Sequence, residues 1–503
     1  TSGNQTFNDT VTLGSAVTMT TSAGNVQFDS TVDSDATARA LTINAQSTVS
    51  GKGSVTFDGV VGATKLAAVD ITGNAVTINQ AFSSNSTVEI TNAGLLTVAD
   101  DATITADGGF TQDGAGAMSL GANITTTNTG ITIGSALTLL KGVDNAAQTI
   151  TLGTGAGGGA ISVAGIAGGD GTNNNSLTLV SGSGTTTVSG AVTEMNVLTV
   201  QASGATGAVT FNNKVEATSL TTTAGAYHVS LLGDDTVIDN TVTFNNTGTL
   251  TLGNAAGDPT TDTIKFTNGV TATLTDKVVT AGTIDTHGAV IDLGVMELAA
   301  DTTLNTVNSP GADITLGNLT GDYGLELIAG NASVKLNGKL NLGALTVDAA
   351  TININGGTTI AGGAVTKQTV VTTGAQSYTG ATVLGADTTL TGSAVTFTGT
   401  VNSAVNTDGT TDVSHAYDLT VSATDSAAGV TFTSDIGALD NSELGAIIIN
   451  TAGVTDFQGT IEAASAFTDE PGTVQVGGNV TVTGSAGATF LENLTLAAQN
   501  ITI

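Results

Sequence analysis

Asn406, Asp408 and Asp412 are the residues whose type and spacing come nearest to a recognisable chemical site. Carboxylate and amide oxygens at alternating positions, with a glycine between them, are ligands that calcium accepts. The same composition is typical of a solvated acidic loop, so both interpretations stay open. The solvated loop, with no cofactor, is the interpretation that we favour, and calcium bound by these three residues is the alternative.

Other residues that could do chemistry are scattered. A glycine-rich run at 168–173 resembles a single copy of a calcium-binding nonapeptide, which works in tandem, so we interpret it as a turn. His228, His287 and His415 are isolated from one another, and we interpret them as surface residues. The chain contains no cysteine, nucleophile elbow or phosphate-binding loop sequence. The sequence therefore predicts a protein that is not an enzyme.

The charge balance limits the possible partners. The chain of 503 residues has 42 acidic and 10 basic residues, which gives a formal net charge of −32. No basic stripe is available to neutralise the phosphates of a nucleic acid, and an anionic lipid surface would repel the protein. No apolar run reaches the length of a membrane-spanning helix. We therefore expect neither nucleic acid nor a membrane span.

A phrase of eighteen residues organises the chain because it occurs twice without a gap. Residues 198–215 read LTVQASGATGAVTFNNKV, and residues 419–436 read LTVSATDSAAGVTFTSDI. Each copy contains two runs of alternating apolar and polar residues, joined by small and polar turn formers. Such alternation places every second side chain on one face of a strand. The unit is therefore strand, turn, strand, and its recurrence predicts a solenoid.

The beginning of the chain is repeated near its end. Residues 1–7 match residues 372–378, and Phe28 matches Phe397, with offsets of 371 and 369 positions. Because the offsets differ, the turns must vary in length on a constant frame of strands. This variation is typical of a solenoid.

Aromatic spacing predicts the size of one coil and the residues of its interior. Phe7 and Phe28 are 21 positions apart, and Phe432 and Phe457 are 25 positions apart. These spacings predict about 20–25 residues per coil and about 20–25 coils. Phe211 and Phe432 each end a Val-x-Phe run, so we expect both to point inward. Thr, Asn and Asp are expected to point outward.

These patterns predict an all-β protein, a parallel β-solenoid that forms an elongated rod with side loops. No shift in composition marks a boundary, so we expect one continuous domain over 1–503. Inserted loops are expected near 154–175, 253–262, 403–416 and 467–472. Both termini have the pattern of an ordinary repeat. We therefore expect a fragment or subunit of a longer assembly, with head-to-tail self-association through the solenoid ends.

Several phrases carry a resemblance to a known family. They are Gly-x-Gln-[Thr/Ser]-[Phe/Tyr] at 3–7 and 374–378, Leu-Gly-Ala-Asp-Thr-Thr-Leu at 384–390, and the recurring Val-Thr-Phe and Leu-Thr-Val-x-Ala. They resemble the β-strand repeats of bacterial filamentous haemagglutinin-like and autotransporter-like surface proteins. The resemblance implies a right-handed parallel β-helix, export across the outer membrane, an extracellular or cell-surface location, and a role in adhesion or surface structure.

Different classes of function fit this fold. The first is a structural or adhesive surface protein that forms a rod or filament, with other copies of itself and glycans or proteins on host or neighbouring cells as partners. A polysaccharide-degrading β-helix lyase or hydrolase needs paired carboxylates, basic residues and aromatic platforms, but the chain has one arginine and no tryptophan. An ice-binding Thr-rich solenoid needs Thr-x-Thr at the same place in every coil, and the spacing is irregular. We expect the first function.

Overall fold

Parallel strands joined by tight turns make up most of the protein. The structure, a computed structural model, describes residues 2–45, 53–169, 171, 174–256, 262–308, 310–355, 367–404, 416–439, 442–470, 472–491, 493–497 and 502–503. The chain divides into two compact units, Thr1–Thr251 and Leu252–Ile503. Over the described ranges, no helix has the length and apolar character needed to cross a membrane.

Unit 1 (Thr1–Thr251) consists of short strands in chain order, with the 3₁₀ turn Val143–Asn145 after the strand Ile131–Leu139. The last of these strands, Leu250–Leu252, ends one residue beyond the unit. Its strands are β1 Gln5–Phe7, β2 Val11–Leu13, β3 Val17–Thr20, β4 Val26–Phe28, β5 Val32–Ser34, β6 Leu41–Asn44, β7 Val55–Phe57, β8 Val61–Leu66, β9 Val69–Gly73, β10 Val76–Ile78, β11 Phe82–Ser84, β12 Thr87–Asn92, β13 Leu96–Val98, β14 Ile104–Ala106, β15 Gly109–Gln112, β16 Met118–Leu120, β17 Ile124–Thr125, β18 Ile131–Leu139, β19 Thr149–Gly153, β20 Ile161–Ala167, β21 Ser176–Gly182, β22 Thr185–Val188, β23 Val192–Ala202, β24 Ala208–Phe211, β25 Val215–Thr222, β26 His228–Leu231, β27 Thr236–Ile238, β28 Val242–Thr243 and β29 Leu250–Leu252.

Each early strand of unit 1 pairs in parallel with the third strand further along the chain. Strand β1 pairs with β4, β2 with β5 and β3 with β6, and the same rule holds for the coils that follow. Three strands therefore make one coil, and the stacked coils form three parallel sheets around a common interior. In the first sheet the successive register partners are Gln5, Val26, Val55, Val76 and Leu96.

Unit 2 (Leu252–Ile503) has the same architecture with longer strands, several of which bend from one sheet into the next. For example, one strand at 324–336 pairs along both of its halves with the strand at 344–354. Its strands are β30 Thr263–Phe266, β31 Val270–Ala272, β32 Val278–Asp285, β33 Ile291–Leu293, β34 Met296–Asn305, β35 Ile314–Leu316, β36 Leu319–Thr320, β37 Gly324–Leu336, β38 Leu340–Leu342, β39 Ala344–Ile354, β40 Gln368–Thr372, β41 Gln376–Leu384, β42 Thr388–Gly392, β43 Ala394–Phe397, β44 Val401–Ser403, β45 Leu419–Ala423, β46 Gly429–Phe432, β47 Leu444–Thr451, β48 Val454–Phe457, β49 Ile461–Glu470, β50 Thr473–Val476, β51 Val480–Val482, β52 Gly487–Phe490 and β53 Asn493–Leu496.

The interior is a stack of inward side chains, with like residues above like residues. In unit 1, Phe7 and Phe28 are register partners and their rings stack with centroids 5.0 Å apart. In unit 2, the rings of Phe432 and Phe457 stack at 5.1 Å, and these residues are register partners too. The predicted spacing of one coil is therefore confirmed at both places. Phe211 and Phe432 are fully buried, as predicted.

The prediction of an all-β parallel solenoid is confirmed by this pairing, and the two units together hold about 21 turns in the part of the chain that is described. The repeated sequence explains the likeness of the two aromatic stacks, because Phe28 and its late counterpart Phe397 both occupy inward positions of the same Val-x-Phe run. A single continuous domain over 1–503 stays a prediction.

The expectation that threonine, asparagine and aspartate side chains point outward is wrong at several positions, Asn92 among them. Asn92 and Gln112 are completely buried in unit 1. Gln112 Nε2 donates to Asn92 Oδ1 at 2.6 Å, and Asn92 Nδ2 donates to the Gly116 carbonyl at 3.0 Å. Gly116 packs so closely on the preceding turn that a β-carbon there would lie 1.6 Å from the Gly94 carbonyl oxygen. The amides are retained inside because they satisfy the carbonyls of these glycine turns, which would otherwise be buried without partners.

Two of the expected loops contain strands. Strand β20, Ile161–Ala167, lies inside 154–175, and β49, Ile461–Glu470, covers most of 467–472. The second loop was expected around Phe467 to Gly472. Phe467 is instead fully buried and pairs with Ile447, so the strand continues in register with the preceding coil. Residues 405–415 and 257–261 fall outside the described ranges, so most of the loop expected near 403–416 and half of the loop expected near 253–262 are untested.

Truncating an inward aromatic residue tests the stack. We expect Phe432→Ala to lower the local free energy of opening by about 3–5 kcal/mol, because the cavity is held open by rings in the coils on both sides. Amide hydrogen exchange of residues 429–457 measures this change. The control is Thr431→Ala, one residue earlier on the outward face of β46, which should have little effect. Equal effects of the two substitutions would contradict the inward packing.

Candidate functional site

A groove of about 360 Å³ crosses successive coils on the outer surface of unit 2. It brings several polar side chains together. Its lining residues are Gly282, Thr283, Asp301, Thr302, Thr303, Gly324, Leu325, Glu326, Ala344 and Thr346.

Strand register builds one side of the groove. Thr283, Thr303, Glu326 and Thr346 are successive register partners on β32, β34, β37 and β39. Each occupies an outward position, so the four side chains form a row along the stacking direction. Adjacent strands in a sheet lie about 4.8 Å apart, so this row offers a polar group at each such step. We call it the polar row.

Small residues open the space beside the polar row. Gly324 pairs with Ala344 on the next coil, and neither fills the outward surface. Asp301 borders this gap, and its Oδ1 accepts a hydrogen bond from the Gly324 amide at 2.8 Å. A β-carbon at Gly324 would lie 3.3 Å from Asp301 Oδ1, so a larger residue there would crowd the carboxylate. A larger residue at this position would therefore require a small shift of the Asp301 side chain.

Two exposed carboxylates give the groove its chemistry. Thr303 Oγ1 donates to Glu326 Oε2 at 3.2 Å, which orients that side chain across the row. A carboxylate has two acceptor oxygens, so Asp301 and Glu326 both keep acceptor capacity beyond these internal bonds. The threonine hydroxyls can both donate and accept. The arrangement suits a ligand rich in hydroxyl or ammonium donors.

Lysine–carboxylate pairs link coils elsewhere on the surface. In unit 2, Lys335 Nζ lies 2.7 Å from Asp313 Oδ2, and Lys277 pairs with Glu297. The hydrogen bond from Lys335 lowers the pKa of Asp313, whereas partial burial raises the pKa of Asp292. Exposed pairs of this kind contribute little to stability. We interpret them as links between coils rather than as a reactive centre.

The residues predicted as calcium ligands are not tested by the structure. Asn406, Asp408 and Asp412 fall within 405–415, outside the described ranges, and so does His415. The glycine-rich run at 168–173 is only partly described. In the part of the chain that is described, no group of three or more histidine, aspartate or glutamate side chains could hold a metal ion. The calcium site therefore stays a prediction.

The two histidines that are described make structural hydrogen bonds. His228 Nδ1 accepts from the Thr249 amide at 2.9 Å, so Nε2 carries the proton and donates to the Ala205 carbonyl at 3.2 Å. His287 contacts the side-chain amide of Asn308 through Nε2. These bonds join one coil to the next, and they favour the interpretation of both histidines as structural residues.

The sequence did not indicate the groove. Thr303 and Glu326 stand 23 residues apart, in phrases that resemble every other repeat. Only strand register brings them together, and register depends on the lengths of all the intervening turns. The sequence feature that could have indicated the groove is Gly324 followed by Leu-Glu-Leu, which places a glycine and a glutamate at neighbouring outward positions of one strand.

The geometry defines the protein as an acidic parallel β-solenoid with a polar groove across its coils. The chain is 30% identical over 415 residues to outer membrane protein A of Rickettsia rickettsii. This match covers 74% of the present chain and 17% of that protein, so the chain spans less than a fifth of the relative's length. No protein-family model and no solved structure matches the chain. The similarity relates this solenoid to a bacterial outer membrane protein.

Calcium binding at the predicted ligands can be tested by melting. We expect millimolar calcium, at constant ionic strength, to raise the melting temperature by about 1–3 °C, because binding to the folded state relieves repulsion between carboxylates. The double substitution Asp408→Asn and Asp412→Asn should remove this rise. As a control, Asp234→Asn with Asp235→Asn changes the same charge at another acidic turn and should leave it in place. An unchanged melting temperature in the unsubstituted protein would exclude the site.

Proposed function

We propose that this chain is a structural and adhesive section of a bacterial protein that is exported and exposed at the cell surface. The observation that carries the proposal is a parallel solenoid whose sequence is similar, over 415 residues, to an outer membrane protein. The strand-repeat phrases at 3–7 and 374–378 support the same function through their resemblance to haemagglutinin-like and autotransporter-like proteins.

The physical properties of the chain suit an exposed position. A solenoid gains length by adding coils, each of which contacts only its neighbours, so a long surface can be built from short repeats. The net charge of −32 keeps such a surface solvated and opposes non-specific association. Most inward positions are filled by aliphatic and phenylalanine side chains, so stability does not depend on disulfides.

The polar groove is the contact surface that we propose for adhesion. Its ligand is a hydroxyl-rich glycan that runs along the polar row. Sugar hydroxyls can donate to the acceptor oxygens of Asp301 and Glu326 and accept from the threonine hydroxyls. A glycan also suits the repeated step of the row, since successive coils present a polar group at each interval of about 4.8 Å.

The alternative functions place different demands on the same surface. A polysaccharide-degrading enzyme would use Asp301 and Glu326 as acid and base or nucleophile, and it would shorten the glycan. An ice-binding solenoid would need two outward threonines per strand in coil after coil. The first sheet of unit 1 instead presents Thr6, Gln27 and Thr56 as single outward residues of three-residue strands. Chain-length analysis of the bound glycan and a thermal hysteresis measurement distinguish these alternatives from adhesion.

Surface exposure can be tested on intact cells of the source bacterium. Antibodies raised against the polypeptide should label intact cells, and external protease should remove the label. A periplasmic protein serves as the control and should resist the protease until the outer membrane is permeabilised. Labelling that requires permeabilisation would overturn the proposed location.

Glycan binding can be tested with the complete purified chain. We expect Glu326→Gln combined with Asp301→Asn to weaken glycan affinity about tenfold or more, because two charge-assisted hydrogen bonds become weaker neutral ones. A glycan array followed by calorimetry on the best ligand gives the readout. The control is Glu89→Gln, an outward glutamate of β12 in unit 1, which should leave affinity unchanged. Equal affinity of the two variants, or binding to proteins but not to glycans, would contradict this use of the groove.

Self-association is a further part of the proposal. Leu494 and Leu496 on β53 are 37% and 51% exposed, whereas their register partners Val474 and Val476 are fully buried. We propose that a second copy stacks on β53, covers these two leucines and pairs with the strand. Heterologous contacts between the two ends of successive copies do not close, and they give filaments.

Sedimentation velocity of the purified chain over a range of concentrations tests this association. We expect species that grow with concentration, and the double substitution Leu494→Asp and Leu496→Asp should suppress them because charge on β53 would repel a second copy stacked on it. Leu274→Asp provides the control, since Leu274 is 58% exposed elsewhere in unit 2. A monomer at every concentration would exclude head-to-tail assembly of this polypeptide.

A further inference from the structure

An aspartate occupies an interior position of unit 2 that is apolar in the neighbouring coils. Asp469 lies on β49 and is only 1% exposed. Its register partners are Ile449 on β47 and Phe490 on β52. The same inward column continues back through Val421 and Leu390, both fully buried. The carboxyl group therefore interrupts a stack of apolar side chains.

A buried threonine is the partner of this aspartate. Thr455 Oγ1 donates to an oxygen of Asp469 at 3.0 Å, and both side chains are buried. Thr455 belongs to β48, where its register partners are Val430 and Val474. Two positions that are apolar in the adjoining coils are thus polar together in this one. The hydrogen bond between the two side chains explains why a polar residue is tolerated at each of these buried positions.

No described charge of opposite sign compensates the carboxylate. The nearby acidic residues Asp456 on β48 and Glu462 on β49 occupy positions that face outward, between buried residues of the same strands. Strands β47 and β52 contain no charged residue. The hydroxyl of Thr455 is therefore the one polar group that the structure shows bonded to the Asp469 side chain. Burial raises the pKa of Asp469 to about 6, and the hydrogen bond from Thr455 opposes this rise.

We propose that Asp469 and Thr455 form a pH-responsive element that loosens the coils at 444–490 when the carboxyl group is ionised and tightens them when it is protonated. A neutral carboxyl group can donate or accept one hydrogen bond inside an apolar stack at moderate cost, whereas a carboxylate there lacks solvation and a cationic partner. The element acts on local opening, because each coil depends on its neighbours.

The direction of the effect follows from proton linkage. In the unfolded chain the carboxyl group ionises near its ordinary value of 3.8, whereas in the folded coils it retains its proton up to about pH 6. The folded state therefore binds more protons between these values, and stability falls as pH rises through this window. Above about pH 6 the loosening is fully present, and below the ordinary value it is absent.

Hydrogen exchange of the complete chain tests the proposal. The readout is the opening equilibrium of amides in residues 444–490 at pH 5 and pH 7.5, after correction for intrinsic exchange rates. We expect opening to be about tenfold or more greater at pH 7.5 in the unsubstituted protein. Asp469→Asn should remove the difference, and Thr455→Val should enlarge it because the carboxylate loses its donor.

Matched variants keep the test decisive. Asp456→Asn removes a carboxylate from the outer surface of β48 and should leave the pH response unchanged. If Asp469→Asn does not fold, Asp469→Val supplies an apolar side chain like those of the neighbouring coils. The amides of residues 444–490 in this variant should be protected from hydrogen exchange equally at both pH values. A pH response that survives in the folded variant, or that is absent from the unsubstituted protein, would overturn the proposal.

Discussion

In-register parallel pairing is the constraint on which the rest of this structure depends. Each strand places its residues directly over those of the coil before it, so an inward side chain packs mainly on its two register partners. Phe397 and Phe432 show the result, since their rings stack with centroids 5.0 Å apart and planes within 7° of parallel. A residue is acceptable inside only if the coils on both sides can match its size and polarity. This requirement preserves the Val-x-Phe and Leu-x-Val phrases while the turns between them vary.

The same constraint explains what could be predicted from the sequence. Alternation identified the inward residues, and the distance from Phe7 to Phe28 gave the length of a coil, because these residues are true register partners. The loop expected near 467–472 was wrong at its first four residues. Residues 467–470 look like a loop, yet they continue a strand because Phe467 and its successors pair with 447–450. Pairing with an existing coil supplies backbone hydrogen bonds that an isolated segment lacks.

The groove could not have been predicted in the same way. Its chemistry comes from Asp301, Glu326 and threonines on separate coils, and none of these residues is unusual in its own phrase. Whether they lie close together depends on the lengths of all the turns between them. One extra residue in a strand would also reverse which side chains face outward. The search for acidic spacing along the chain instead selected Asn406, Asp408 and Asp412, because ligands close in sequence are visible without register. A linear pattern favours sites made within one loop and misses sites made across coils.

Nearest-neighbour stacking also determines how far a local change can act. In a solenoid the energy of a coil depends on its own residues and on the interfaces with adjacent coils, so effects decay along the stack. The groove involves coils at 282–346, whereas Asp469 affects coils at 444–490, and other coils, with buried side chains such as Phe397 and Val421, lie between the two in the chain. Protonation of Asp469 can therefore change local opening without altering the groove. A solenoid built in this way can combine a section of constant stability with a section whose stability follows the pH of its surroundings.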